Sequence, residues 1–230
     1  MTLTAIDSEL DEDSAIAVGE VVARSIARAF AKKEDQCGLI GDGTSTYFNR
    51  QGASPLLRAV DATVGNVKGL RVQATAGTWA AIVLADILAL PGLLPGYADD
   101  GIDANWYCNK NFYYTVMLAL AIAAGGTAAN EVISTGYTRS PQFLGRKVEF
   151  AQVMPAVKAA ADHCPLLLGN LRIGSYMGDR RKLRIDQSKE AYFTSDQIGI
   201  RGTERIAPTV FGVGDTTNPG PIVGLWADIA

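Results

Sequence analysis

The side chains of this chain that could do chemistry are few and scattered. His163 is the single histidine, Cys164 follows it, and Cys37 and Cys108 lie far off in sequence. A zinc site takes three or four N, S or O ligands at close spacing, which one His–Cys pair cannot supply. An odd number of cysteines with no CxxC spacing reads as reduced thiols in a cytosolic setting, so His163 is expected in a packing or surface role. Acyl-transfer chemistry would need Ser, His and Asp in a recognisable order or a GxSxG elbow, and neither occurs. Gly41-Asp42-Gly43-Thr44 superficially resembles a phosphate cradle. It lacks the Lys-Ser/Thr of a P-loop and follows a helix where a nucleotide loop would precede one, so a tight turn is expected. No catalytic residue, cofactor or metal site is expected. What remains is charge, clustered at Asp179, Arg180 and Arg181, across 186–190, and at Glu204 and Arg205. With no nucleophile among them, such residues suit a surface that meets another protein.

Stepping along the chain, the spacing predicts the elements that hold these charges. Residues 166–211 read at period two: Leu166–Leu168, Ser175–Met177, Leu183–Asp186, then Ile198, Ile200, Ile206 and Val210. That is a strand-rich ribbon, with charged turns predicted at 178–181 and 186–190. Upstream, Ile16, Val22, Ile26, Ala27 and Phe30 recur at three and four residues, predicting a helix over about 13–38. Asp13 and Ser14 suit its start and Gly38 its stop, and at 1.5 Å per residue it is a rod of roughly 37 Å. Residues 40–72 read as loop with a helical turn near 54–60. A nearly apolar helix is predicted over 73–90, buried all round and stopping at Pro91-Gly92. Then come a strand at 104–108, a helix over 112–123 capped by Asn109, an irregular stretch over 125–142, a strand at 145–150, and a helix or loop over 156–164. The tail 212–230 shows little periodicity. Its Leu225 and Trp226 suggest that it packs on something, a neighbouring chain among the candidates.

At 230 residues with a net charge of −3, the chain can bury a full core. Phosphate binding needs clustered Lys and Arg, so the acidic balance argues against a basic nucleic-acid-gripping face, and any contact with DNA is expected to be indirect. The first residues are polar and acidic rather than basic then apolar, which does not describe a signal peptide. The apolar run 115–124 is shorter than the roughly 20 residues that span a bilayer. No membrane association is expected, and the chain reads as soluble and intracellular.

The order of small motifs resembles a known family. Leu167-Leu168-Gly169, Tyr176, Asp179-Arg180, Leu183–Ile185, Ser188-Lys189-Glu190-Ala191-Tyr192-Phe193 and Glu204-Arg205-Ile206-Ala207 follow one another as in the major capsid proteins of tailed bacteriophages, which share the Hong Kong ninety-seven shell fold. A second anchor, the helix ending Ala31–Gln36 and running into Gly41-Asp42-Gly43-Thr44, is similar to the family's long helix and its turn. Together they cover about residues 11–212. The resemblance implies an α+β capsid fold. Its peripheral domain would hold a long spine helix and the β ribbon (1–72 and 172–230), and an α/β apical domain would span 73–171. It implies a structural shell subunit of a phage or prophage head, self-assembling into pentamers and hexamers around a DNA genome. The chain would be made in the bacterial cytoplasm, would end in the virion, and would meet scaffold, protease and portal proteins on the way.

On the resemblance, Asp179, Arg180, Arg181, Glu204 and Arg205 would be subunit-contact residues. The family's N-terminal arm and extended loop, which precede the spine helix, are expected to be absent. Some members crosslink subunits through a Lys–Asn isopeptide bond with a Glu as base. Here the Asn position holds Asp196, the Glu position holds Thr203, and the Lys would lie on the missing loop, so no crosslinking is expected. Two other readings stay open: an encapsulin-like compartment on the same fold, and a small α/β enzyme.

Overall fold

The computed structural model describes residues 1–9, 18–60, 71–73, 79–99, 103–125, 141–157, 163–215 and 217–227. In chain order its elements are β1 (Thr2–Asp7), α1 (Val18–Leu39), α2 (Ala53–Val60), β2 (Arg71–Gln73), α3 (Leu84–Leu93) and β3 (Asn105–Cys108). Next comes α4, in three consecutive segments: Lys110–Phe112, the π-helical Tyr113–Met117, and Leu118–Ala124. Then follow β4 (Gln142–Phe143), β5 (Arg146–Phe150), β6 (His163–Gly169), the single turn α5 (Leu171–Gly174), β7 (Ser175–Tyr192), β8 (Gln197–Val210) and β9 (Ile222–Ala227). The chain divides into two units, Met1–Glu34 with Met177–Pro208, and Asp35–Tyr176 with Thr209–Ala230.

The first unit is a three-stranded sheet, β1-β8-β7, with α1 against one face. β1 runs antiparallel to β8, from Thr2 opposite Gly202 to Asp7 opposite Gln197. Ile6, Ile26 and Ile200 are buried between them, and Val18, Val22, Phe30, Leu183 and Ile185 close the cluster. The helical spacing is therefore borne out from Val18 on; residues 13–17 lie outside the described residues. Helix and sheet approach closely at Gly202, where an added Cβ would stand 2.7 Å from Ile26 Cγ2 and 3.1 Å from Phe30.

The predicted charged turns are a correction. Residues 178–181 and 186–190 all lie inside the single 18-residue strand β7. The chain reverses instead at Phe193–Ser195, with Asp196 left-handed at φ 48°. Charge is not a turn signal by itself. In a strand exposed over most of its length, Arg and Lys stand on either face with their heads in water, and the hydrogen-bonded ladder to β8 keeps the backbone extended.

The second unit is built on a six-stranded mixed sheet, β2-β9-β6-β3-β5-β4. β6 and β9 sit side by side within it, and every residue of both strands is buried. That corrects the expectation for the tail: Leu225 and Trp226 belong to an interior strand of their own chain. Ile222–Ala227 is a continuous apolar run, the signature of a strand covered on both faces, so it shows no alternation. One layer packs Trp106, Phe112, Tyr113, Met117, Ile87 and Leu90 on the sheet, and another packs Leu57, Met154, Cys164, Leu167 and Trp226.

The helix predicted over 73–90 is also corrected. Arg71–Gln73 is a strand parallel to β9, and the helix opens only at Leu84. There Asp86 Oδ2 accepts from the Val83 amide at 3.0 Å, the acidic closure expected near a helix start. Pro91 does not end it. In the final turn a missing N–H costs one bond without splitting the helix, which continues to Leu93. Nor is it buried all round, since Leu88 is 48% exposed.

The other elements fall where expected. α2 occupies the predicted turn, and β3 and β5 the predicted strands. Asn109 caps α4 by accepting from the Asn111 amide at 3.0 Å. Residues 126–140 and 158–162 lie outside the described residues, and with them most of the irregular stretch and the middle of 156–164.

Candidate subunit-contact surface

Around the residues first weighed for chemistry, the structure shows packing. His163 is 7% exposed, and its Nε2 accepts from Trp79 Nε1 at 2.9 Å. Cys164, on the same strand, faces the other packing layer and donates from Sγ to the Leu166 carbonyl at 3.3 Å. All three cysteines are buried and none is in a disulfide, and burial pushes the Cys108 thiol up to about 12. Among the described residues no group of three or more His, Cys, Asp or Glu converges as metal ligands.

Gly41-Asp42-Gly43-Thr44 forms the tight turn expected. Asp42 Oδ1 accepts from the Thr44 amide at 2.9 Å and from its hydroxyl at 2.6 Å, and these bonds hold the carboxyl below the usual carboxylate range. The Gly43 amide donates to the Arg50 carbonyl at 3.0 Å, and the Gly52 amide to that of Gly41 at 2.8 Å. The Gly43, Thr44 and Gly52 amides are thus taken up within the loop itself.

The five charged candidates all lie on the ribbon strands, but the pleat divides them. Side chains alternate across a strand. Leu183 and Ile185 of β7 and Ile200 of β8 pack toward α1. Asp179, Arg181 and Glu204 share that parity, and Arg180 and Arg205 have the other. Asp179, Arg180, Arg181 and Arg205 are exposed, whereas Glu204 is half-buried. Its Oε2 is buried with no hydrogen-bond partner among the described residues. Between the strands, Asp186 accepts from Arg184 Nε at 2.7 Å and from Arg201 Nη2 at 3.2 Å. Those two guanidinium groups hold its carboxyl below the ordinary range.

Residues that the sequence reading passed over are the exposed aromatics. Phe193, at the ribbon's reversal, is 85% exposed. Tyr176 and Phe211, at the foot of the ribbon strands, stack with ring centroids 4.9 Å apart and an angle of 25°, and are 69% and 50% exposed. Ile173, 39% exposed, lies in the adjoining turn. The available signal was positional: aromatics at the ends of alternating runs, where no neighbouring strand residue covers them.

The sequence profile of the phage capsid family matches residues 1–212. Among solved structures, the capsid of an empty GTA particle is similar at 19% identity, covering 100% of this chain and 71% of that one with a TM-score of 0.66. The structure from Mycobacterium phage Bobi follows at 17% identity, 97% and 69% coverage and a TM-score of 0.64. The holo-SrpI encapsulin complex from Synechococcus elongatus stands at 12% identity, 97% and 71% coverage and a TM-score of 0.57. No curated protein matches.

Proposed function

The chain belongs to the phage capsid family, and from that premise we propose how it works. It is a structural subunit of a phage head, a component of the virion. Copies associate into pentameric and hexameric rings that enclose a DNA genome, after assembly in the bacterial cytoplasm with scaffold, protease and portal proteins as partners. The peripheral domain, taken from the resemblance as 1–72 and 172–230, is centred on α1 and the ribbon, and the apical domain, 73–171, on the six-stranded sheet, which β9 joins from the far end of the chain.

The observation that carries the contact surface is the exposed aromatic set. Tyr176, Phe211 and Phe193 leave apolar rings in water that a neighbouring copy would cover, and aromatic residues dominate the energetics of protein interfaces. Asp179 and Arg181, exposed on the ribbon, act as further contact charges, each contributing only ~0–1 kcal/mol, so that many weak repeated contacts sum to a shell. Sedimentation velocity and negative-stain microscopy test this reading. Rings or shells are expected from the native chain, and Tyr176→Ser with Phe211→Ser should raise the assembly threshold about tenfold, the size of one lost hot spot of ~1.4 kcal/mol. Monomer at every concentration would contradict it. The encapsulin reading rests on likeness of fold, and co-purification of an enclosed enzyme would favour it.

A further inference from the structure

On the ribbon face turned away from α1, the part nearer Gly178 and Ala207 carries charge of nearly one sign, with Glu190 and Asp7 lying toward the reversal. A Cβ at Gly178 would lie 3.6 Å from that of Ala207, and Arg201 bonds Asp186, so even-numbered residues of β7 and odd-numbered residues of β8 share this face. Along 178–186 and 201–207 it presents Arg180, Lys182, Arg184, Arg201 and Arg205, all exposed, against the single carboxylate of Asp186. The remaining positions on these two strands are Gly178, Thr203 and Ala207, and Leu3 of β1, opposite Arg201, borders the stripe. This stands out in a chain whose net charge is −3, and the whole-chain balance had hidden it.

We propose that this face binds the phosphodiester backbone of nucleic acid, directly and without regard to sequence. A protein–protein interface has a core depleted of charge, whereas from Gly178 to Asp186 three of the five positions on this face are cations. Four of its five cations are arginines, whose planar fork matches phosphate oxygens. Alternate residues of a strand repeat about every 6.8 Å, and a DNA duplex offers one charge per ~1.7 Å of its axis, so each cation finds a phosphate whatever the register. Asp186 holds Arg184 and Arg201 side by side, and a pre-ordered pair loses less side-chain freedom on binding. The proposal goes beyond the shell reading, because it assigns a surface to the shell's contents rather than to its neighbours.

Fluorescence anisotropy of the full chain with a labelled duplex, read across a salt series, tests it, with self-association followed in the same samples by sedimentation. Three or four neutralised phosphates predict a slope of log K against log salt of about −3 to −4. Arg180→Glu with Lys182→Glu should weaken binding at least about tenfold. Gln187→Glu with Lys189→Glu makes a similar charge change at odd-numbered positions outside the contact residues and should alter binding by less than about threefold. Circular dichroism checks that both variants fold. Absence of binding even at low salt, or equal loss in both variants, would overturn the proposal. So would unchanged DNA affinity with lost self-association in the first variant, which would assign the face to an acidic surface of a second copy.

Discussion

At the scale of single residues, the ribbon's electrostatics turn on Asp186. Its carboxyl is held below 3.8 by bonds first from Arg184 and then from Arg201. A group with a lowered folded pKa lends stability that is present above its unfolded pKa and lost as pH falls through the folded value. An NMR titration should place the Asp186 midpoint below that of an unstructured aspartate, and Arg184→Ala with Arg201→Ala should bring it back up. Cys108 behaves in the opposite sense. Burial raises its thiol from 9.0 to about 12, so the stability it supports is complete below pH ~9 and declines as pH climbs toward the folded value. With all three thiols buried, a thiol-reactive chromophore at pH 8 should label the native chain slowly and all three sites promptly in denaturant, since the thiolate is the reacting species. A burst of native labelling at Cys108 would contradict its burial.

Among the elements, the tightest fit is α1 on the three-stranded sheet. Gly202→Val would push side-chain atoms into Ile26 and Phe30 and should cost about 1–3 kcal/mol in urea unfolding, as overpacking does. A loss under about 0.5 kcal/mol would mean that the helix slides freely on the sheet. How much of this was legible before the structure follows from what each element faces. α1 was readable because one face is buried and the other wet, which imprints a 3.6 period on its residues. β9 was misread because both faces are buried and no period survives. β7 was broken into pieces because its exposed residues are free to be charged, and charge imitates a turn. α3 was opened too early because the apolar content of 79–90 says nothing of where the first turn closes; Asp86 did. At the proposed contact surface the charged residues were chosen by type, but the pleat sorts Arg180 and Arg205 from Asp179, Arg181 and Glu204. That division was available in the numbering once β7 was known to be continuous.

For the molecule as a whole, the absence of an isopeptide chemistry is an expectation open to a direct check. The positions that the resemblance gives to the amide acceptor and the carboxylate base hold Asp196, at the reversal, and Thr203, half-buried in β8. Assembled particles should run on a denaturing gel as one band near 24.4 kDa, and a ladder of linked subunits would refute this. The placement of β9 has a bearing on biosynthesis. Its ladder is shared with β6 on one side and β2 on the other, yet it emerges from the ribosome after every other described element. About fifty residues separate β6 from it, so at ~5–20 residues per second the larger sheet waits roughly 3–10 s with the place between β2 and β6 unfilled. A chain released or truncated before β9 is made would leave β6 and β2 each one ladder partner short in this sheet.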